Sequence, residues 1–380
     1  MISFSPTDEE KSFVAVARKL AEEKIRDISR ESEERRRVDN ELVKEIRDLG
    51  FLSLELPESW GGLQLPLISQ VQILQALSYG DLGVIQGLPG TGDAASFIRL
   101  LEENPLLLSN KQEFANHEKS IAFLNLVDQW GGNITIQNKG NEYVLSGTST
   151  PVRLGSVAEF VIISGVDDTG EHVVLLLDNR PEDTWRVETG DYRLGLLASG
   201  LGRFTFDKAR IGKSQVLASG KEAAQLIRES RTRIRILQAA KEIGLMEAAL
   251  DYATEYAAGR KAFGQEIAKF QGVSFRIADM AMESRIASLL VWQAATVADD
   301  DIDKAEGVSF RALYRAHRSL RFVTDSAVQL LGGHGYVQEF PVEKWMRDAE
   351  AQVGLYGRER DFLLQWGEQI VAKQEEVIMK

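Results

Sequence analysis

The run ALYRAHRSLRFVTDSAVQLL, residues 312–331, carries the reading of the fold, because its apolar residues recur at helical spacing with nothing to interrupt them. The same stripe appears in IADMAMESRIASLLVWQAATVA (277–298) and ALDYATEYAAGRKAF (249–263). No proline occurs between Pro181 and Pro341, and Gly307 is the only glycine from 273 to 331. Long helices are therefore unobstructed, since these two residues are the strongest helix breakers. A bundle of long helices is expected over 213–380.

Upstream the character changes. Between 119 and 212, short β-branched or apolar runs (ITIQ, EYVLSG, FVIISG, HVVLLLD, RFTFD) alternate with the turn clusters NKGN, DDTGE and NRPED. This is the pattern of a compact antiparallel domain ending near Ile211. Residues 1–118 read as helical: Thr7 with Glu10 forms a capping-box pattern, LVKEIRDLGF ends a helix at Gly50, PESWGG is a turn, and SQVQILQALSYG is a mostly buried helix. The expected fold is mainly α with a central β-domain: an N-terminal helical domain, a middle antiparallel β-domain and a C-terminal long-helix bundle.

Composition narrows the function. The chain has 380 residues, enough for two or three domains, and is 44% hydrophobic. A net charge of -12 argues against a nucleic-acid groove or an anionic membrane surface. The absence of cysteine excludes disulfides, thiol catalysis and thiolate-bound metal. Four scattered histidines (His117, His172, His317, His334) argue against a histidine metal cluster, so no metal ligands are assigned. With no basic-then-apolar leader and no run of about 18 apolar residues, a soluble cytoplasmic protein is expected.

Four stretches carry a resemblance over essentially the whole chain: SPTDEEKSFVAVARKLAEEKI, LPESWGG, GRKAFGQEIAKFQ and QLLGGHGYVQEFPVEKWMRD. They resemble the acyl-CoA dehydrogenase family of flavoproteins. Arg260 offers a permanent cation for a pyrophosphate, Phe263 a flat apolar face and Gln271 a two-sided amide. In Gln329-Leu-Leu-Gly332-Gly333 the glycines let a ligand lie close to the backbone. The resemblance implies that these groups hold the ADP part of FAD, with the second piece reaching across from a neighbouring subunit. A homodimer or homotetramer follows, or a mixed oligomer with a catalytic paralogue. Taken singly, Arg260 also reads as a surface cation, Phe263 as core and the glycine pair as a helix end.

The chain departs from the family at the flavin ring and at the base. Where the family has a glycine-rich loop and a Trp-bearing strand against the ring, this sequence reads FLNLVDQWGGN (123–133) and TPVRLG (150–155), with Pro151 at the Trp position. The family removes an α-proton from an acyl thioester with a Glu, while a β-hydride passes to FAD; here Tyr356 occupies that position. A tyrosine with a reference pKa near 10 is ionised only about one part in 10³ at pH 7, a penalty of roughly 4 kcal/mol. The family's other base position corresponds to Ile234. Glu229 lies about 140° around the helix from it. Glu359 falls in the first turn of the last helix, where the dipole stabilises it. Arg235 matches an Arg that the family keeps near its base. Arg231, Arg233 and Arg235, at alternate positions, cannot share one helix face and are expected as a solvated fringe.

Three readings remain open. One is an FAD-dependent dehydrogenase of acyl-CoA or another acyl thioester with an unorthodox base. The second is a non-catalytic subunit of a heteromeric acyl-CoA dehydrogenase. The third is a family fold diverted to flavin oxidase or monooxygenase chemistry.

Overall fold

The computed structural model describes residues 8–127, 131–178, 184–189 and 193–378. The Thr7 half of the capping box, the NRPED turn and Asp128–Trp130 lie outside the described residues. The first helix, Asp8–Leu20, opens an N-terminal helical domain. In this domain Asn40–Asp48 is capped by the Asp39 carboxylate and Leu67–Ser78 is buried against the rest of the molecule.

The middle domain holds eight strands in two four-stranded sheets: β1 (Ile121–Asn125), β2 (Thr135–Asn138), β3 (Glu142–Thr148), β4 (Phe160–Val166), β5 (His172–Asp178), β6 (Trp185–Glu188), β7 (Arg203–Gly212) and β8 (Val216–Ser219). The sheet orders are β1-β4-β5-β8 and β2-β3-β7-β6. Two features differ from the expectation. β1 pairs with β4 in parallel, Ile121 opposite Phe160, so the domain is not wholly antiparallel, and β8 continues the first sheet beyond Ile211.

The reason lies in burial. Val161, Ile163, Val173 and Leu175 face Ile136, Leu145, Phe204 and Phe206 of the other sheet. Ile121, Ile162, Val174 and Leu176 face Phe97, Phe114, Leu226 and Ile234 of the helical domains. A sheet covered on both faces loses the two-residue alternation, hence the continuous runs FVIIS and HVVLLL.

The C-terminal bundle is built from Gly220–Gly259, Gln271–Asp300 and Ile302–Leu331, joined by Leu67–Ser78 from the N-terminal domain. Alanines fill much of the shared core, which lets the 40-residue helix pack closely along its length. That helix crosses both other domains. Arg233, on its inner half, makes a buried pair with Glu55, Nε to Oε1 2.5 Å and Nη2 to Oε2 2.8 Å. Burial pushes the Glu55 carboxyl up, but Arg233 outweighs this and holds it below the usual carboxylate range. The helices Val342–Tyr356 and Glu359–Ile378 close the fold.

Candidate active site

The three domains meet at a pocket of about 660 Å³ including its open mouth, within the range of ligand sites. The end of β1 supplies Phe123 and Asn125, and the turn after β3 supplies Pro151, Val152 and Arg153. The long helix supplies Arg231, Ile234 and Arg235, and the last turn of Val342–Tyr356 supplies Leu355 and Tyr356. The short turn Gly92–Ala94 supplies Asp93.

Tyr356 stands at the C-terminus of its helix, which stops because Gly357 adopts φ +125°. Its hydroxyl donates to Asp93 Oδ2 at 2.7 Å. Burial, then the Asp93 charge, raises the phenol well above its ordinary value, so Tyr356 stays protonated. Gln238 Nε2 donates to the other oxygen, Oδ1, at 2.6 Å. Behind them lies a buried polar chain: Gln86 Nε2 donates to Gln238 Oε1 at 2.7 Å, and Lys241 Nζ donates to Gln86 Oε1 at 3.2 Å. Burial pushes Lys241 down to about 7.

Arg153 is fixed by two backbone carbonyls, Nε to Gln86 O at 2.7 Å and Nη2 to Leu88 O at 2.8 Å. It packs against Gly92, where a Cβ would come within 2.1 Å of Nη1 and where φ is +47°. Only glycine meets both demands.

The arginines correct the expectation of a solvated fringe. Arg233 and Arg235 are buried. Arg235 lies with its guanidinium 3.8 Å over the Phe310 ring and borders the pocket with Arg231, four residues before it, while Arg233 points away to Glu55. Alternate residues still point to different faces, but this helix is enclosed on both sides. Glu229 accepts from Gln225 at 2.8 Å and Glu359 from Arg321 at 3.0 Å, and neither borders the pocket.

The other predicted residues gather at the far end of the bundle. Arg260 ends the long helix, exposed. Phe263 follows in the tight hairpin of Lys261–Ala262 and Gln265–Glu266 at φ +53° and 96% exposed, which rules out its reading as core. Positive φ is uncommon for a side chain of this size and needs local compensation. Gln271 opens the next helix. Gln329 lies in the last turn of Ile302–Leu331, and Gly332 and Gly333 begin the turn Gly332–Tyr336. A Cβ at either glycine would meet no atom within 4 Å, so the floor there is open. Tyr256 bonds His334 Nδ1 at 2.8 Å, so the two pieces lie side by side in one chain, where the resemblance had implied that the second reaches across from a neighbouring subunit. A cation, an exposed aromatic face, two amides and an open glycine floor are a fitting donor set for a nucleotide.

Pocket and clamp lie apart along the long helix: Arg260 is about 26 residues beyond Ile234, ~39 Å at 1.5 Å per residue. Asp93, Gln238, Lys241 and Arg153 were not singled out from sequence. No local motif marks Asp93, and its partner Tyr356 is 263 positions away.

Comparison with known proteins follows the same outline. Residues 225–358 match the family described as acyl-CoA dehydrogenase, C-terminal domain, and residues 7–98 match acyl-CoA dehydrogenase, N-terminal domain, together more than half of the chain. The mitochondrial short-chain specific acyl-CoA dehydrogenase of Sus scrofa is 27% identical over 348 residues, 87% of this chain and 83% of its own. The 3-(aryl)acrylate reductase of Clostridium sporogenes is 25% identical over 354 residues, 90% of this chain and 93% of its own. A glutaryl-CoA dehydrogenase from Mycobacterium smegmatis, solved in complex with FADH2, shares the fold with a TM-score of 0.82 at 19% identity, covering 97% of this chain and 95% of its own.

Proposed function

Because the chain belongs to the acyl-CoA dehydrogenase family, we propose that it is an FAD-dependent oxidoreductase acting on an acyl thioester, with thioester and flavin ring in the pocket walled by Tyr356 and Asp93. The observation that carries this reading is a carboxylate in the pocket, that of Asp93, hydrogen-bonded to Tyr356. Bound FAD supplies the hydride acceptor. Phe123, Ile234 and Leu355 give the pocket an apolar wall that excludes water, while Arg231 and Arg235 place positive charge where a phosphate-bearing substrate would approach a chain of net charge -12. Tyr356 acts as a neutral donor, with Arg235 beside it as a positioning cation. The non-catalytic-subunit reading rested on a missing carboxylate, and Asp93 favours the catalytic reading over it.

The test is the visible spectrum of the purified protein, followed by anaerobic titration with a panel of acyl-CoAs. Bound FAD that bleaches supports the reading. Bound FAD untouched by every acyl-CoA overturns it in favour of oxidase or monooxygenase chemistry.

The ~39 Å separation supports a site shared between subunits, in which Arg260, Phe263, Gln271, Gln329, Gly332 and Gly333 hold the ADP end of an FAD whose ring lies in another copy's pocket. The helix Gln271–Asp300 has an apolar stripe for such a contact: Phe275, Met282, Ile286 and Leu289 are exposed along one face. Light scattering is expected to give a dimer or larger, and a monomer that retains FAD contradicts the arrangement. Arg260→Ala is expected to weaken FAD binding by about 10- to 150-fold, the loss of one charge-assisted contact of about 1.5–3 kcal/mol. Unchanged affinity in a fluorescence titration would make Arg260 an ordinary surface residue.

A further inference from the structure

We propose that Asp93 is the general base, taking the α-proton of the thioester while the Tyr356 hydroxyl and the Gln238 amide hold its carboxylate in place; this rests on the dehydrogenase reading above. Chemistry of this kind needs a carboxylate that is ionised, aimed into the pocket and close to the family's base position. Among the described residues, Asp93 is the one acidic side chain lining that pocket. It is half-buried, so it is enclosed yet open to a ligand.

Its geometry is over-determined. Tyr356 donates to Oδ2 at 2.7 Å and Gln238 to Oδ1 at 2.6 Å. A carboxylate has about four lone-pair sites, so each oxygen keeps one free after these bonds. The Tyr356 phenol from the last turn of Val342–Tyr356 and the Lys241 amine from the long helix act on it, and the guanidinium groups of Arg153, Arg231 and Arg235 border the same pocket. Tyr356 cannot take the proton itself, because burial and then the Asp93 charge keep the phenol neutral.

The step is simple to balance. The Cα–H bond breaks, the proton passes to a free lone pair of Asp93, and the electron pair enters the thioester enolate. Return of a proton to carbon completes an exchange without any oxidant. Acetyl-CoA has α-hydrogens but no β-carbon, so it can exchange but cannot be dehydrogenated.

The experiment is deuterium incorporation into acetyl-CoA in D2O by the FAD-loaded protein, read by mass spectrometry across pH. The wild type is expected to exchange. Asp93→Asn keeps the shape and can still bond Tyr356, so a merely structural role would leave exchange intact; as the base, its loss should cost at least about 10²-fold. Asp93→Glu should restore part of it. Tyr356→Phe should move the acid limb of the exchange profile to higher pH, because a hydrogen bond to the charged form is gone. Wild-type exchange in Asp93→Asn overturns the assignment. If Asp93→Asn does not fold, an unmoved profile in Tyr356→Phe overturns it instead. A wild type that holds FAD without exchanging also overturns it, and whether acyl-CoAs still bleach that flavin decides separately whether the dehydrogenase reading falls.

Discussion

Lys344→Met is expected to lower the stability of the folded chain by about 3–5 kcal/mol, the usual cost of removing one partner from a buried ion pair. Lys344 Nζ lies 2.8 and 2.7 Å from the two oxygens of Asp81 and 2.6 Å from Asp348 Oδ2. All three side chains are at most 4% exposed. Burial pushes the lysine down, but Asp348 and Asp81 outweigh it and hold the amine above its ordinary value. The carboxylates have further work: Asp81 caps the helix Leu82–Gly87 through Val84 N–H at 2.9 Å, and Asp348 Oδ1 accepts from Leu196 N–H at 2.6 Å. One ammonium thus ties an N-terminal helix, the β-domain and the helix that carries Tyr356. Methionine preserves the length but leaves two buried carboxylates without a counter-charge. The check is the midpoint of urea unfolding at pH 7 and at pH 4. The deficit should shrink at the lower pH, where the buried pair left without its counter-charge can take up protons. A midpoint equal to wild type at pH 7 would mean that the triad contributes nothing net.

Tyr356→Glu is expected to move the acid limb of flavin bleaching upward by about 2 pH units, so that bleaching below that limb falls by about 10²-fold. From the sequence alone the opposite is expected: a carboxylate replacing a neutral phenol should raise the rate by up to about 10³-fold if the chain otherwise has no base. Asp93 reverses the argument. Two like charges at a separation of ~5 Å repel by about 3 kcal/mol at an effective dielectric of ~20. The pair then shares a proton to higher pH, and the hydroxyl donor to Asp93 is lost as well. Anaerobic bleaching by acyl-CoAs from pH 5 to 9 separates the outcomes. A rise approaching 10³-fold at neutral pH would show that the base had been missing, and Asp93 would lose its assigned role.

The motif PVEKWMRD illustrates how far the sequence could be read. It identified the family, yet four of its residues act as a clamp between domains: Lys344 and Asp348 in the triad, and Arg347 bonded to Glu33 at 2.5 Å and Glu343 at 2.7 Å. Strand β1 is absent from the runs legible in the sequence because IAFLN is short and buried on both faces, which leaves no alternation to detect. The burial of the arginines at 233 and 235 is not legible in the sequence, because helix periodicity says which residues share a face but not what covers it. Phe263 and the Gly332–Gly333 pair were legible as a local pattern, since their conformations are set within a few residues.

The chain's own order of residues determined the helices, the sheet-forming runs and the phenol group carried at position 356, because backbone propensity, punctuation by glycine and proline, and local spacing act over a few residues. Tertiary packing alone decided that a carboxylate stands beside that group. Asp93 and Tyr356 are joined only when a turn of the N-terminal domain and the end of a C-terminal helix are brought against the same stretch of the long helix, at Gln238. Hydrogen bonds of this kind depend on distance in space, and nothing in the spacing of two residues so far apart along the chain encodes it.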